Sequence, residues 1–137
     1  MAEDSVAFEL VSPEALLLAR QVEMVVVPGA EGDFGVLPRH APMISTLRPG
    51  IISVYEDSKV TERIFVGGGF AEVTPARCTV LAEEAIPVAQ LERAKIEQGL
   101  KDAREELADA KDEAARRAAE KAVAIAEAKL QAAGQTA

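Results

Sequence analysis

The sequence predicts a β-rich N-terminal part, organised as a sandwich or barrel, followed by a helical tail. Three observations carry this. Short apolar runs, several alternating with polar residues, recur up to residue 86 with turn signals at close spacing. All seven prolines lie at or before Pro87 and none follows it. Beyond Pro87 alanine becomes abundant and acidic and basic residues alternate along the sequence.

Taken in order, Val6, Phe8 and Leu10 alternate with Ala7 and Glu9, the pattern of a half-buried strand. The run 15–19 is ambiguous by period, but its shortness and the Ser12-Pro13 turn signal favour a strand. Val22, Met24 and Val26 continue the alternation. Residues 28–42, PGAEGDFGVLPRHAP, are punctuated by Gly29, Gly32, Gly35, Pro38 and Pro42. Glycine opens positive φ and close backbone approach, and proline fixes φ and removes a donor. Phe34, Val36 and Leu37 alternate with turn residues, which predicts a packed, shaped surface loop carrying Glu31, Asp33, Arg39 and His40. Loops held by a rigid scaffold are where binding concentrates, so this segment reads as a docking loop. Strands are predicted over 43–47 and 51–55, with Arg48-Pro49-Gly50 suited to a type II turn. A turn at 57–59, strands over 63–66, 70–73 and 78–82, and a tight turn at 74–77 complete the series.

Pro87 suits the first turn of a helix, where its missing amide is not needed. Ile96, Leu100, Ala103 and Leu107 then form a narrow seam of helical period. Ala115, Ala119, Ala122, Ala126 and Ala133 form a second stripe, flanked by Val123, Ile125 and Leu130, with Gly134 as a stop. This predicts a helical hairpin bent near 108–112, with Asp109 or Asp112 as the cap of the second helix. Between Gly99 and Gly134 no glycine or proline enforces the bend. A straight helix over 88–133 would run about 70 Å at 1.5 Å per residue. The predicted domains are therefore 1–86 and 87–137.

Composition excludes several classes of function. At 137 residues with 49% hydrophobic content, the protein is able to bury a core without metals or disulfides. Its single cysteine, Cys78, excludes an internal disulfide framework and fits a reducing compartment. The net charge of −8 arises from 13 acidic and six basic residues before Pro87, and ten and nine from it onward. Neither part is a basic footprint, so nucleic-acid binding and attachment to anionic membranes are not expected. The acidic start lacks the pattern of a targeting peptide, and no apolar run reaches the ~20 residues that span a bilayer. The composition predicts a soluble cytosolic protein with protein partners.

The candidate chemical sites read as structural. His40 is the sole histidine and has no cysteine near it in sequence, too few ligands for zinc. Cys78 sits in the alternation Cys78, Val80, Ala82, which predicts a buried thiol. Gly67-Gly68-Gly69 lacks the Lys-Ser or Lys-Thr of a phosphate loop and predicts a bulge or close strand crossing. Glu83 and Glu84 are adjacent, so on a strand they point to opposite faces. No acid, base and nucleophile converge, and the protein is not expected to be an enzyme. No metal and no cofactor are assigned.

Three motifs carry a resemblance. They are Gly32-Asp33-Phe34-Gly35-Val36-Leu37-Pro38 with His40-Ala41-Pro42, then Leu47-Arg48-Pro49-Gly50, then Val66-Gly67-Gly68-Gly69-Phe70-Ala71-Glu72-Val73. In this order, before an alanine-rich charged tail, they resemble the epsilon subunits of bacterial F-type ATP synthases over essentially the whole length. The resemblance implies an α+β fold: an antiparallel β-sandwich of about ten strands, then a two-helix α-hairpin. It also implies a non-catalytic central-stalk subunit, bound to the gamma subunit and to the ring of c subunits. Such a subunit lies at the cytoplasmic face of the bacterial inner membrane and couples proton-driven ring rotation to the catalytic head. The positions matching the family's ring-facing ones are Asp33 and His40. The resemblance further implies regulation of ATP hydrolysis through the C-terminal helices, with the alpha and beta subunits as their partners. Some members bind ATP through a Leu-Asp-Glu-Ala-Arg-Ala-like motif. The stretch here is Leu91-Glu92-Arg93-Ala94-Lys95-Ile96, and lysine does not reproduce the planar fork of arginine, so no ATP site is assigned. The competing reading is a cytosolic adaptor or chaperone-like module, which would need a broad exposed apolar patch on the tail.

Overall fold

The computed structural model describes residues 4–134. Val6–Val11 (β1) alternates as predicted, with Val6, Phe8 and Leu10 turned to one buried face. Leu16–Val22 (β2) pairs antiparallel with it through a bulge between Leu10 and Val11. Glu23 alone separates β2 from Met24–Gly29 (β3). That one-residue bend shifts the phase of the alternation. Val22 is buried, but on β3 the core side chains are Val25 and Val27, not Met24 and Val26.

Residues 28–42 are not a loop throughout. Gly32–Val36 forms a strand (β4) that returns antiparallel along β3 after the two-residue turn Ala30-Glu31. The pairs Val25 with Val36 and Val27 with Phe34 set apolar side chains across from each other. Such pairs stabilise a sheet enough to override a glycine-rich composition. Irregular backbone is left only at 37–42.

Met43–Leu47 (β5) and Gly50–Glu56 (β6) follow. The connection between them is not a type II turn, because Gly50 does not adopt the positive φ that such a turn requires. Gly50 is needed for space instead: a Cβ there would lie 2.8 Å from Cβ of Pro28. Lys59–Val66 (β7) pairs with β6 across Asp57 and Ser58, at φ 53° and 63°. Two positive φ values in a two-residue connection match the right-handed twist of the strands they join. Gly69–Val73 (β8), Arg77–Ala82 (β9) and Ala85–Pro87 (β10) complete the sheet. Pro87 therefore ends a strand and does not begin a helix. It is tolerated because β10 is an edge strand, pairing only with β7.

The strand order is β10-β7-β6-β3-β5-β8-β9-β1-β2, with β4 on β3. Every pair is antiparallel except β1 with β9. The sheet curls so that its two ends approach. Arg20 on β2 reaches Glu56 on β6 at 3.4 Å and Glu62 on β7 at 3.0 Å. Enclosed between the halves is one apolar cluster that includes Phe8, Leu10, Val25, Val27, Ile52, Val54, Val73 and Val80. The result is a ten-stranded β-sandwich domain.

The protein divides after Pro87 into two compact units. In the second, the 3-10 turn Val88–Gln90 precedes Arg93–Asp109 (α1) and Glu113–Ala133 (α2). On α1, Ile96, Leu100 and Ala103 are buried and Leu107 is half-buried. On α2 the buried residues are Ala119, Ala126 and Ala132, whereas Ala115 and Ala122 are exposed. The buried stripe is thus narrower than predicted. Asp112 caps α2, accepting from the Ala115 amide at 2.7 Å. Gly134 follows α2 in right-handed geometry, so no left-handed cap closes it. Arg104 joins the helices through Glu127 at 3.3 Å.

All strands and the main apolar cluster precede residue 88. A fragment truncated after Pro87 should therefore show a cooperative thermal transition with β-type circular dichroism. An unfolded or molten fragment would refute the autonomy of this unit.

Candidate functional site

The first half of the predicted docking segment is a hairpin held tightly at its base. Gly29 faces Gly32 across the turn, and a Cβ on Gly29 would lie 2.7 Å from the Gly32 carbonyl oxygen. Gly32 takes φ 139°, which a side chain at that position would oppose. The Ala30 amide donates to the Thr46 carbonyl at 2.9 Å, and the Arg48 amide donates to Pro28 at 3.0 Å. The Arg48 guanidinium then donates to both the Gly29 carbonyl and the Asp33 carboxylate.

His40 lies on the irregular part, half-buried, with Nδ1 2.7 Å from the Ala41 carbonyl oxygen. Its neighbour Arg39 adopts φ 66° and donates its amide to Pro75 at 2.7 Å. The structure does not gather Asp33 and His40 at one tip. Asp33 is tied to Arg48, next to the Leu47–Gly69 pair that begins β8. His40 follows the residue tied to Pro75, beyond the end of β8. A five-residue strand is about 13 Å long. The two side chains are thus strung along one segment that is anchored at both ends.

A second surface was not identified from the sequence. On the sheet face away from the core, Thr46, Phe70, Leu81, Val11 and Leu16 are successive cross-strand partners on β5, β8, β9, β1 and β2. Phe70 is 44% exposed and Leu16 58%, and Ile44 on the same face of β5 is 72% exposed. Phe70, Leu81, Val11 and Leu16 thus form an apolar row on the outer face of the sheet. Its signal was available in the sequence: these residues sit out of phase with the core set Leu10, Ala71 and Val80.

The remaining candidates are structural. Gly68 and Gly69 have φ 126° and 129°, and a Cβ on Gly69 would lie 2.0 Å from the Leu81 carbonyl oxygen. The triple glycine is thus a close backbone crossing. Cys78 is fully buried and free. Burial pushes its thiol up from 9.0 to about 11. In the stretch aligned with the ATP motif, Lys95 pairs with Glu92 at 3.1 Å. No group of three or more metal-ligating side chains occurs among the described residues.

Residues 5–88 match the family model for the β-sandwich domain of the ATP synthase delta/epsilon chain, and residues 92–137 match that for the C-terminal domain of the ATP synthase epsilon chain. The protein belongs to the ATP synthase epsilon family. An ATP synthase epsilon chain from Rhodospirillum rubrum is 57% identical over 130 residues, covering 95% of this protein and 96% of that one. One from Rhodospirillum centenum is 56% identical over 132 residues, covering 93% and 90%. Among solved structures, a subunit of the Euglena gracilis mitochondrial ATP synthase, resolved with OSCP, F1 and the c-ring, superposes with a TM-score of 0.81 at 28% identity, covering 96% of this protein and 82% of that one. A subunit of the Tetrahymena thermophila mitochondrial central stalk and c-ring shares the fold, with a TM-score of 0.68 at 14% identity, covering 97% and 99%.

The Cys78 thiol makes a test of packing in this epsilon-family sandwich. Its folded pKa lies above the unfolded value, so the unfolded protein loses that proton first. The stabilisation is complete below about pH 9 and is lost as pH rises towards 11. Denaturant midpoints should fall over that window, and Cys78→Ala should remove that component of the fall. The native thiol should resist alkylation at pH 8 and react once the protein is unfolded.

Proposed function

We propose that this protein is a non-catalytic rotor subunit of a proton-translocating ATP synthase, without an active site of its own. It would bind the gamma subunit and rest on the c-subunit ring, transmitting ring rotation to the catalytic head. The single observation that carries this reading is the anchored segment 28–42, whose motif residues define the family resemblance and whose backbone is fixed at both ends. A torque-bearing contact needs a rigid edge, and bonds to Thr46, Pro75 and Arg48 supply one. The apolar row from Phe70 to Leu16 offers a separate surface of the kind that a permanent protein partner covers, and we assign it to gamma.

No helix among the described residues is long and apolar enough to cross a membrane. Attachment would be peripheral, at the cytoplasmic face of the bacterial inner membrane, through the ring. In this reading Asp33 and His40 lie within reach of the polar loops of the ring. Cysteines at either position should crosslink to cysteines in the c-subunit loop in assembled enzyme, while ATP hydrolysis by the detached head stays unchanged. Absence of both crosslinks, or loss of head ATPase with coupling intact, would overturn the assignment.

The helical unit is suited to a regulatory role, with the alpha and beta subunits as partners of its helices. Its hairpin buries chiefly alanines on α2, so opening forfeits little apolar area at roughly 25 cal/mol per Å². The bend at 110–112 has no glycine or proline, and Ala110 and Lys111 are good helix formers, so the cap by Asp112 is the main local signal for the break. Only a partner that binds one form better shifts such an equilibrium. Spin labels at the exposed Glu97 and Gln131 should report a short distance in the free protein. In a straight helix they would lie about 50 Å apart. Leu107→Ala with Leu130→Ala should populate the long distance. A short distance unchanged in that variant and in complex with gamma would make the hairpin a fixed scaffold.

A further inference from the structure

We propose that Arg20, Glu56 and Glu62 guard the free edge of β2, so that this strand does not pair with the same strand of a second copy of the protein. β2 ends the strand order, so one side of its backbone has no strand beside it. Its sequence, LLLARQV, contains no glycine or proline, and Leu16 and Leu17 are 58% and 47% exposed. A leucine-rich edge of seven residues is a template for another strand unless something opposes it.

Arg20 interrupts the inner face of that strand. It lies opposite the fully buried Phe8, while Leu18 lies opposite Leu10 and Val22 opposite Val6. The alternation calls for an apolar residue at this position. The Arg20 guanidinium instead crosses to the other half of the sandwich, 3.0 Å from Glu62 and 3.4 Å from Glu56. Thr61 fixes Glu56 by donating its hydroxyl at 2.6 Å. Glu62 is itself inward, opposite Val54 on the face that buries Ile52 and Ile64. The three side chains are 31–38% exposed, so they keep part of their water. A strand added to β2 would lie about 4.8 Å beyond it, and its inward side chains would cover this cluster. Two carboxylates against one guanidinium do not balance, and stripping their remaining water opposes the pairing. Apolar side chains of similar volume would fill the same space without that penalty. The cluster therefore protects the edge more than it stabilises the fold.

The test compares the full-length protein with an apolar triple variant, Arg20→Leu with Glu56→Val and Glu62→Val. Sedimentation velocity over a dilution series reports association, and amide hydrogen exchange reports where it occurs. The triple variant should keep its thermal midpoint or raise it, and should dimerise as its concentration rises. Amides of β2 should then exchange at least about tenfold more slowly in the dimer than in the dilute monomer, because pairing covers that edge. The unsubstituted protein should show no such concentration-dependent protection of β2. Glu56→Gln with Glu62→Gln leaves Arg20 charged and unpaired, and should show none either. A triple variant that stays monomeric, with or without a lowered midpoint, would overturn the guarding role. A dimer whose β2 amides exchange as fast as the monomer's would place the contact elsewhere and overturn it too, as would β2 protection in the unsubstituted protein. If the triple variant does not fold, Arg20→Met with Glu56→Gln and Glu62→Gln removes the same charges with the shapes kept and is read in the same way. Failure of both to fold would make the cluster a requirement of the core and not a guard.

Discussion

Two backbone crossings bonded to each other hold the sandwich in its topology. β7 and β8 lie in different halves of the strand order, yet only Gly67 and Gly68 connect them. The return crossing from β9 to β10 runs beside it through Glu83 and Glu84. The Gly67 amide donates to the Glu84 carbonyl at 2.9 Å, and the Glu83 amide donates to Gly68 at 3.0 Å. Gly69 then passes so close to Leu81 that no side chain fits between the two backbones. This proximity lets Ala71 and Val80 lie opposite each other in the core, and it places Phe70 beside Leu81 on the outer face. Widening the crossing would disturb the core and the outer apolar row together.

The surface features draw on that rigidity in different ways. The apolar row is a by-product of pairing register, since four separate strands must align to make it. The hairpin is a local device, set by two glycines and one arginine, and fastened to β5 by the Ala30 amide. The helical unit follows another principle. Its buried seam has Ile96 and Leu100 on one side but only alanines on the other. Small residues allow close approach of the helices but contribute little burial. The protein divides into these two separate units after Pro87.

Much of the site was legible as motif and little of it as geometry. The glycines and prolines of 28–42 mark a special backbone, but they hid β4, because strand propensity is low where glycine is frequent. The apolar partners Val36 and Phe34 decided the matter through contacts with Val25 and Val27. The pairing of Asp33 with Arg48 spans fifteen residues and had no local signal. Gly50 shows the same limit from the other side: its proximity to Pro28 is a tertiary contact, and the Pro-Gly dipeptide alone pointed to the wrong turn.

By itself the sequence determined the division of texture near Pro87, the alternation of β1, the buried thiol, the α1 seam and the family. Each of these is encoded by neighbouring residues, by period or by motif. Only the tertiary structure decided the parallel pairing of β1 with β9, the phase shift at Glu23, the outer apolar row and the engagement of Asp33. These depend on which strands come to lie side by side. That is fixed by burying one shared core across distant segments, and no window along the sequence contains both partners.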